Sequence, residues 1–427
     1  MSEERFEVIV IGGGLAGLSA AYRLSKAGRK VLVLEKAPYS GAKNVSGGRI
    51  YTYALDKLMG DEWKKDAPLE REINQEYLMM MNDEDAVIID TTTNALGNQS
   101  YSVLREKFDK WLAKKVEEAG GLVIGGACVD GLIRKDGRVC GVTVGKEELE
   151  CDLVIDAEGV NAIVAERAGV IDPIRLENIA VGIKSVIRLK ESVINDRFNT
   201  DSDKGAALLG MGSANQGIFG GLFMYTNKDT ISIGLVQDSK TWKESGLHLP
   251  DAMEALKEHP IIGKYIDGGE LVEYTAHLIP EGGYDSFSEF CGDGILVTGD
   301  AAGLCLNRGY TVRGMDYAIM SGIAAAETAE QALAKGIFTK DFLSMYTARL
   351  EHNTLNDFKT LKNAHHYMAN SEHLFTTYPN LAINALQSMY KVDGGAAQGV
   401  VKTIVKGLPK VKVFSVAKDA IKGVLSL

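Results

Sequence analysis

Apolar and polar residues follow three rhythms along this chain, and each predicts its own kind of element. The run "FEVIVI" (residues 6–11) is apolar at successive positions and rich in β-branched residues, as a strand covered on both faces requires. "LSAAYRLSKAG" (18–28) repeats its apolar residues at helical spacing and closes on Gly28, and "KVLVLEK" (30–36) returns to the buried-strand pattern. Strand, glycine turn and helix recur in "CDLVIDAEGVNAIVAERAG" (151–169). They recur again over 292–336, where "ILVTGD" precedes a loop and a small-residue helix opening near Gly314. Residues 105–120, "REKFDKWLAKKVEEAG", form a long amphipathic helical pattern. Elsewhere the period changes to two. "EDAVIID" (84–90), "AVGIKSVIRL" (180–189) and residues 217–238 predict a second, largely antiparallel sheet.

The junction between the first strand and helix carries the first chemistry. Gly12, Gly14 and Gly17 stand in G-x-G-x-x-G spacing directly after a strand. The first glycine makes the tight turn, and the second lets a pyrophosphate approach the backbone. The third lets helix and strand pack closely, while the helix start, with Leu15 and Ala16, faces anionic phosphate. Glu35 ends the second strand 23 residues after Gly12 and suits a ribose 2′-hydroxyl, with Lys36 beside it; this favours FAD or NAD over NADP. The fold class is therefore α/β with an α+β second layer. A Rossmann-like nucleotide-binding domain is assembled from 1–75, 100–170 and 290–340, and a sheet domain from 76–99 and 171–289. A helical region follows over 341–427.

Composition narrows the function. The chain has 427 residues, 45% apolar and 24% charged, with a formal charge of −10, which argues against a nucleic-acid partner. Five cysteines lie far apart without a C-x-x-C pair, so neither a disulfide framework nor an iron–sulfur cluster is expected. His365 and His366 are adjacent and do not share a helical face, so no metal site is expected there. Neither a secretory leader nor an eighteen-residue apolar run is present, and a cytoplasmic protein is expected. The last 28 residues hold six lysines against one acid, Asp419.

With these segments in place the chain resembles the flavoproteins typified by p-hydroxybenzoate hydroxylase, geranylgeranyl reductase and the electron-transfer-flavoprotein:quinone oxidoreductases. The resemblance implies FAD. It also implies that Asp300, after Gly299 in "TGDAAG", binds the ribityl or phosphate region, and that the backbone of Gly314 and Met315 meets the flavin ring. A helix start there suits the negative charge of reduced flavin. Arg105 is implied to reach toward the FAD, and the backbone of Cys128 and Val129, in an expected strand "GGACVDGLI", to meet the adenine. Gly159 follows Glu158 in "DAEG", and Glu158 stands where relatives usually have Asp, which leaves the role of Glu158 open.

Two runs resemble one branch, the Fix/Etf C-subunits: "GAKNVSGGRIY" (41–51) and "LNRGYTVRGMD" (306–316). The small residues Ser46, Gly47 and Gly48 allow a flat ring to lie against the backbone. Arg49 either adds positive charge near the flavin or forms a structural salt bridge. The branch implies electron transfer to a membrane quinone such as menaquinone, within an electron-bifurcating complex. Its partners would be the alpha and beta subunits of an electron-transfer flavoprotein and a separate ferredoxin-like 4Fe-4S subunit. No catalytic nucleophile, base or metal is needed. Quinone contacts are expected from the 217–238 sheet and the 281–284 turn. The basic amphipathic tail "VAKDAIKGVLSL" suits either an anionic membrane surface, giving peripheral attachment to the cytoplasmic face, or a partner. The alternative is a geranylgeranyl-reductase-like prenyl lipid reductase.

Overall fold

The structure, a computed structural model, describes residues 5–43, 48–92, 97 and 99–395, together with 399, 402, 422, 423 and 426. Ser46 and Gly47, and nearly all of the basic tail, lie outside the described residues.

The fully apolar runs do form the strands of a buried sheet. Six strands stand in the spatial order Cys291–Gly292, Ile295–Val297, Leu153–Asp156, Val8–Ile11, Val31–Glu35 and Leu122–Gly125, all parallel except the first. Side chains of Val8–Ile11 alternate between two apolar cores. Val8 and Val10 join Val31 and Val33 beneath the helices Leu15–Lys26, Arg105–Glu118 and Met315–Lys335. Ile9 and Ile11 join Leu32 and Leu34 against Val139 and Val142 of a three-stranded antiparallel meander, Gly131–Lys135, Arg138–Val144 and Glu147–Glu150. The small-residue character of Met315–Lys335 has a steric reason, because a Cβ on Gly322 would strike the Ala16 carbonyl. Bulk there would hold the two central helices apart.

The period-two runs build a nine-stranded sheet. Its order is Glu270–Pro280, Ile179–Arg188, Thr230–Asp238, Gly220–Thr226, Lys204–Gly212, Leu69–Met81, Ser100–Val103 and Gly48–Tyr51, with Ala86–Thr92 paired to Leu69–Met81. All its pairings are antiparallel except that of Lys204–Gly212 with Leu69–Met81. Ile183, Leu208, Met224 and Ile233 face a core under the helices Glu191–Phe198, Leu249–Glu258 and Pro260–Ile266. The opposite face looks onto the first unit.

Two expectations are corrected. Gly48–Tyr51 and Ser100–Val103, assigned above to the nucleotide-binding unit, hydrogen-bond into the nine-stranded sheet, and Leu69–Met81 runs across the expected boundary at residue 75. "GGACVDGLI" is not one strand: the strand ends at Gly125 and the next begins at Gly131. Gly126 turns the chain at φ +76°, a conformation that side chains oppose. Cys128 and Val129 therefore lie in a connecting loop.

The described C-terminal region is helical, through Met345–Leu350, Asn356–Thr360, Ala364–Ala369 and Thr377–Tyr390. Its Ala364, Tyr367, Met368 and Phe375 close over Phe219 in a small separate core.

Candidate functional site

Where the strand order reverses, between Val8–Ile11 and Leu153–Asp156, the carboxyl ends of both strands open onto one cavity of about 750 Å³. Such a switch point is where open α/β sheets bind ligands. The three motif glycines occupy it for different reasons. Gly12 has φ +98°, and a Cβ there would strike the Ala157 carbonyl; one on Gly17 would strike the Gly12 carbonyl. Gly14, by contrast, faces open space, with no atom within 4 Å of its would-be Cβ. It lines the cavity with Gly12, Leu15 and Ala16 at the start of the 12-residue helix. Gly17 packs behind them. Glu35 accepts from the Gly13 and Ala37 N–H groups, both at 2.7 Å, and lines the cavity beside Lys36.

The second and third segments arrive at the same space. Glu158 and Gly159 line it, and Glu158 Oε1 accepts from the Val164 N–H at 2.6 Å, tying the following helix Ile163–Arg167 to the loop. Asp156, fully buried at the strand end, accepts from the Glu158 N–H at 3.1 Å. Burial and the Glu158 charge hold its carboxyl well above the usual range. Asp300 lines the cavity, and burial raises it to about 6 against the pull of Arg105. Gly299 does not reach the cavity; it packs on Ala16, leaving room for no side chain. Gly314 and Met315 line the wall at the start of the 21-residue helix, whose unpaired N–H groups favour negative charge. Cys128 and Val129 also line it, although from a loop.

The arginines are held by acids within the chain. Arg105 lines the cavity, with Nε and Nη2 donating to Asp109, one turn on, at 2.9 and 2.8 Å. Arg49 lines it too, and the structural salt bridge raised above is formed: Nη2 donates to Glu76 at 2.5 Å and Nε to Ser100 Oγ at 2.8 Å.

A cluster around Tyr51 had no signal in spacing. The Tyr51 ring lies 5.1 Å from the Arg49 guanidinium and 5.6 Å from that of Arg313, and its hydroxyl bonds Thr311 at 3.0 Å. Arg313 donates to Asp316 at 2.6 Å and to Asp357 at 2.8 Å, and lies 4.3 Å from the Tyr317 ring. Tyr53 donates to Asp316 at 2.9 Å. The two branch-specific runs thus touch. One supplies Arg49, Tyr51 and the neighbouring Tyr53, and the other Thr311, Arg313 and Asp316, fixing the loop ahead of Gly314.

Away from the glycine turn the same cavity becomes apolar. Leu78, Met211, Phe219 and Phe223 of the nine-stranded sheet and its loops meet Met368 and Phe375 of the C-terminal region. Glu281 and Asn307 are polar exceptions in this wall.

Comparison with known proteins matches this layout. A model of FAD dependent oxidoreductases matches residues 7–176, and the ETF-QO/FixC family C-terminal domain matches residues 364–427. "Protein FixC" from Salmonella typhi is 41% identical, and "Protein FixC" from Escherichia coli (strain K12) 40%, each over the full length of both chains. The "Probable electron transfer flavoprotein-quinone oxidoreductase YdiS" of Escherichia coli (strain K12) is 38% identical, again over the full length of both. The chain belongs to the ETF-QO/FixC family. A geranylgeranyl bacteriochlorophyll reductase-like protein from Thermoplasma acidophilum shares the fold of this family member, with a TM-score of 0.73 at 20% identity over 98% of this chain and 99% of that one. The halogenase PltM, at 0.67 and 16%, covers 90% of this chain and 80% of its own.

This member of the ETF-QO/FixC family is an FAD-dependent oxidoreductase whose work is electron transfer. The residues present fit the dinucleotide. Open space over Gly14 and Gly159 admits phosphate oxygens that a Cβ would exclude, Glu35 stands at a strand end, and a helix start faces the far wall. FAD supplies the redox chemistry, and the protein supplies position, local charge and exclusion of water. Among the described residues no group of three or more His, Cys, Asp or Glu is placed to hold a metal, and no helix is long and apolar enough to cross a membrane.

Proposed function

We propose that the protein passes electrons from an electron-transfer flavoprotein to a membrane quinone, through its FAD, as the flavoprotein subunit of a bifurcating complex. The observation that carries this is the continuity of one cavity from the glycine turn to the apolar arm. A nucleotide needs the first end; a ring carrying a hydrocarbon tail suits the second, where Met211, Phe219, Met368 and Phe375 offer side-chain carbon and few competing polar groups. The site residues named above, from Gly12 to Met315, that line the cavity hold the FAD, with Gly17 and Gly299 supporting them from behind. All five cysteines are free and lie on separate elements, so the cluster that relays electrons belongs to a ferredoxin-like subunit. The lysine-rich tail meets an anionic membrane surface.

Anaerobic reduction of the protein in its complex by NADH, followed by menaquinone or ubiquinone analogues, tests the reading. Flavin absorbance should return with at least one quinone. Saturation of a prenyl substrate with no quinone response would replace it with the lipid-reductase reading. Truncation near Lys410 should abolish flotation with anionic liposomes; unchanged flotation removes the tail from membrane contact.

A further inference from the structure

The turn after the Glu270–Pro280 strand carries a carboxyl that the cavity wall leaves half satisfied. Glu281 is 4% exposed, and its N–H donates to the Asn178 carbonyl at 2.9 Å, which fixes the turn. Its Oε2 accepts from Asn307 Nδ2 at 3.2 Å. Its Oε1 is buried with no hydrogen-bond partner, and the residue lines the cavity. Buried polar atoms are nearly always paired, so one left open at a cavity wall points to something that enters the cavity.

The surroundings keep a proton on this group. Asp238, held by the Thr241 N–H at 2.7 Å and hydroxyl at 2.6 Å, contributes negative charge. Cys305, in the loop ahead of Asn307, is a thiol that burial holds well above its ordinary value, hence neutral. His365 lies with its Cβ 3.6 Å from the would-be Cβ of Gly283, and burial lowers its pKa, so it too is neutral at neutral pH. The charge named as acting on Glu281 is that of Asp238. Burial therefore pushes the carboxyl up to about 7, with the Asn307 bond opposing and Asp238 adding. Below that pH it holds a proton to give; above it, it does not.

We propose that Glu281 is a catalytic proton donor, delivering its carboxyl proton from Oε1 to a quinone oxygen as the quinone is reduced in this cavity. The assignment rests on the quinone reading above. The step balances: the reduced flavin anion loses two electrons and one proton, and Glu281 loses the second proton. Both quinone carbonyls become hydroxyls, the flavin returns to its oxidised form, and the Glu281 carboxylate is reprotonated from solvent.

The test uses the full-length protein carrying FAD, reduced anaerobically with dithionite. One arm adds menaquinone or ubiquinone analogues; the other adds ferricenium, which takes electrons without protons. Reoxidation of the wild type by quinone should fall about tenfold per pH unit above about 7. Glu281→Gln should be at least tenfold slower with quinone at pH 6 and lose that pH dependence, and Glu281→Asp should recover part of the rate. Ferricenium should separate the three proteins by less than twofold. Independently of turnover, infrared difference spectra between pH 6 and 8 should contain a protonated-carboxyl component in the wild type that is missing from Glu281→Gln, over the contribution of Asp300 that both share. Equal quinone rates and pH profiles in the wild type and Glu281→Gln overturn the assignment, as does carboxyl absorbance that is the same in both proteins. A wild type that reacts with ferricenium but with no quinone removes the quinone reading, and the role of Glu281 with it.

Discussion

At the glycine turn the cavity is lined by main chain and small residues; in the apolar arm large side chains close it. Gly12, Gly14 and Gly159 form the first wall, and Met211, Phe219 and Phe223 belong to the second. The difference is one of tolerance. A wall of main chain accepts no added atom where the chain itself already fills the space, whereas a wall of side chains loses packing when atoms are removed but keeps its course.

Substitutions on the two walls should therefore fail differently. Gly12→Ala should have the largest effect, because a Cβ meets the Ala157 carbonyl at φ +98°. We expect a loss of about 3 kcal/mol or more and no retained FAD; near-normal melting and flavin content would show that the turn yields. On the other wall, Phe219→Ala removes a buried ring that packs 5.6 Å from Phe375 and should cost about 3–5 kcal/mol. Its FAD content per chain should nevertheless stay at the wild-type level, and loss of flavin in proportion to stability would erase the distinction between the walls.

A third probe reads charge within the nine-stranded sheet. Lys184 is fully buried on its Ile179–Arg188 strand, 3.5 Å from Glu273, and burial lowers it to about 7 although Glu273 opposes. From about 7 up to the ordinary lysine value, the unfolded chain binds a proton that the folded one lacks. Stability should thus rise with pH across that window. Lys184→Met should be more stable than the wild type at pH 7 by an amount on the order of a few kcal/mol, with the gap closing toward pH 10. A gap that does not change with pH, followed by thermal melting, would mean the lysine stays charged. The smallest expected effect is that of Gly14→Leu. Its Cβ meets nothing in the chain, so apoprotein stability should change by less than about 1 kcal/mol. FAD affinity, titrated by fluorescence quenching, should fall at least tenfold.

The first wall was largely legible in the sequence because its determinants are local. An apolar run, three glycines at fixed spacing and an acid at the next strand end each declare themselves within a few residues. The second wall was legible only as a sheet. Gly48–Tyr51 and Ser100–Val103 are four residues each, too short for a period to show, and they pair directly although the long Leu69–Met81 strand separates them in sequence. "GGACVDGLI" misled because its strand was implied by the resemblance and not by a periodic run, while a Cβ on Gly125 would strike the Pro38 carbonyl and Gly126 turns the chain. The Arg105–Asp109 pair stands at i,i+4 spacing and was open to reading. The pairing of Glu281 with Asn307 was not, since neither neighbourhood contains a hint of the other.

The contacts around Tyr51 bear on motion. They join a strand of the nine-stranded sheet to the loop ahead of the Met315–Lys335 helix. A hinge at that seam would have to break the Tyr51–Thr311 and Tyr53–Asp316 bonds together. The two units are welded at this edge. On the function proposed above, exchange of a quinone in the apolar arm would then rest on rotamer changes among Phe219, Met368 and Phe375, which proceed far faster than rotation of whole domains.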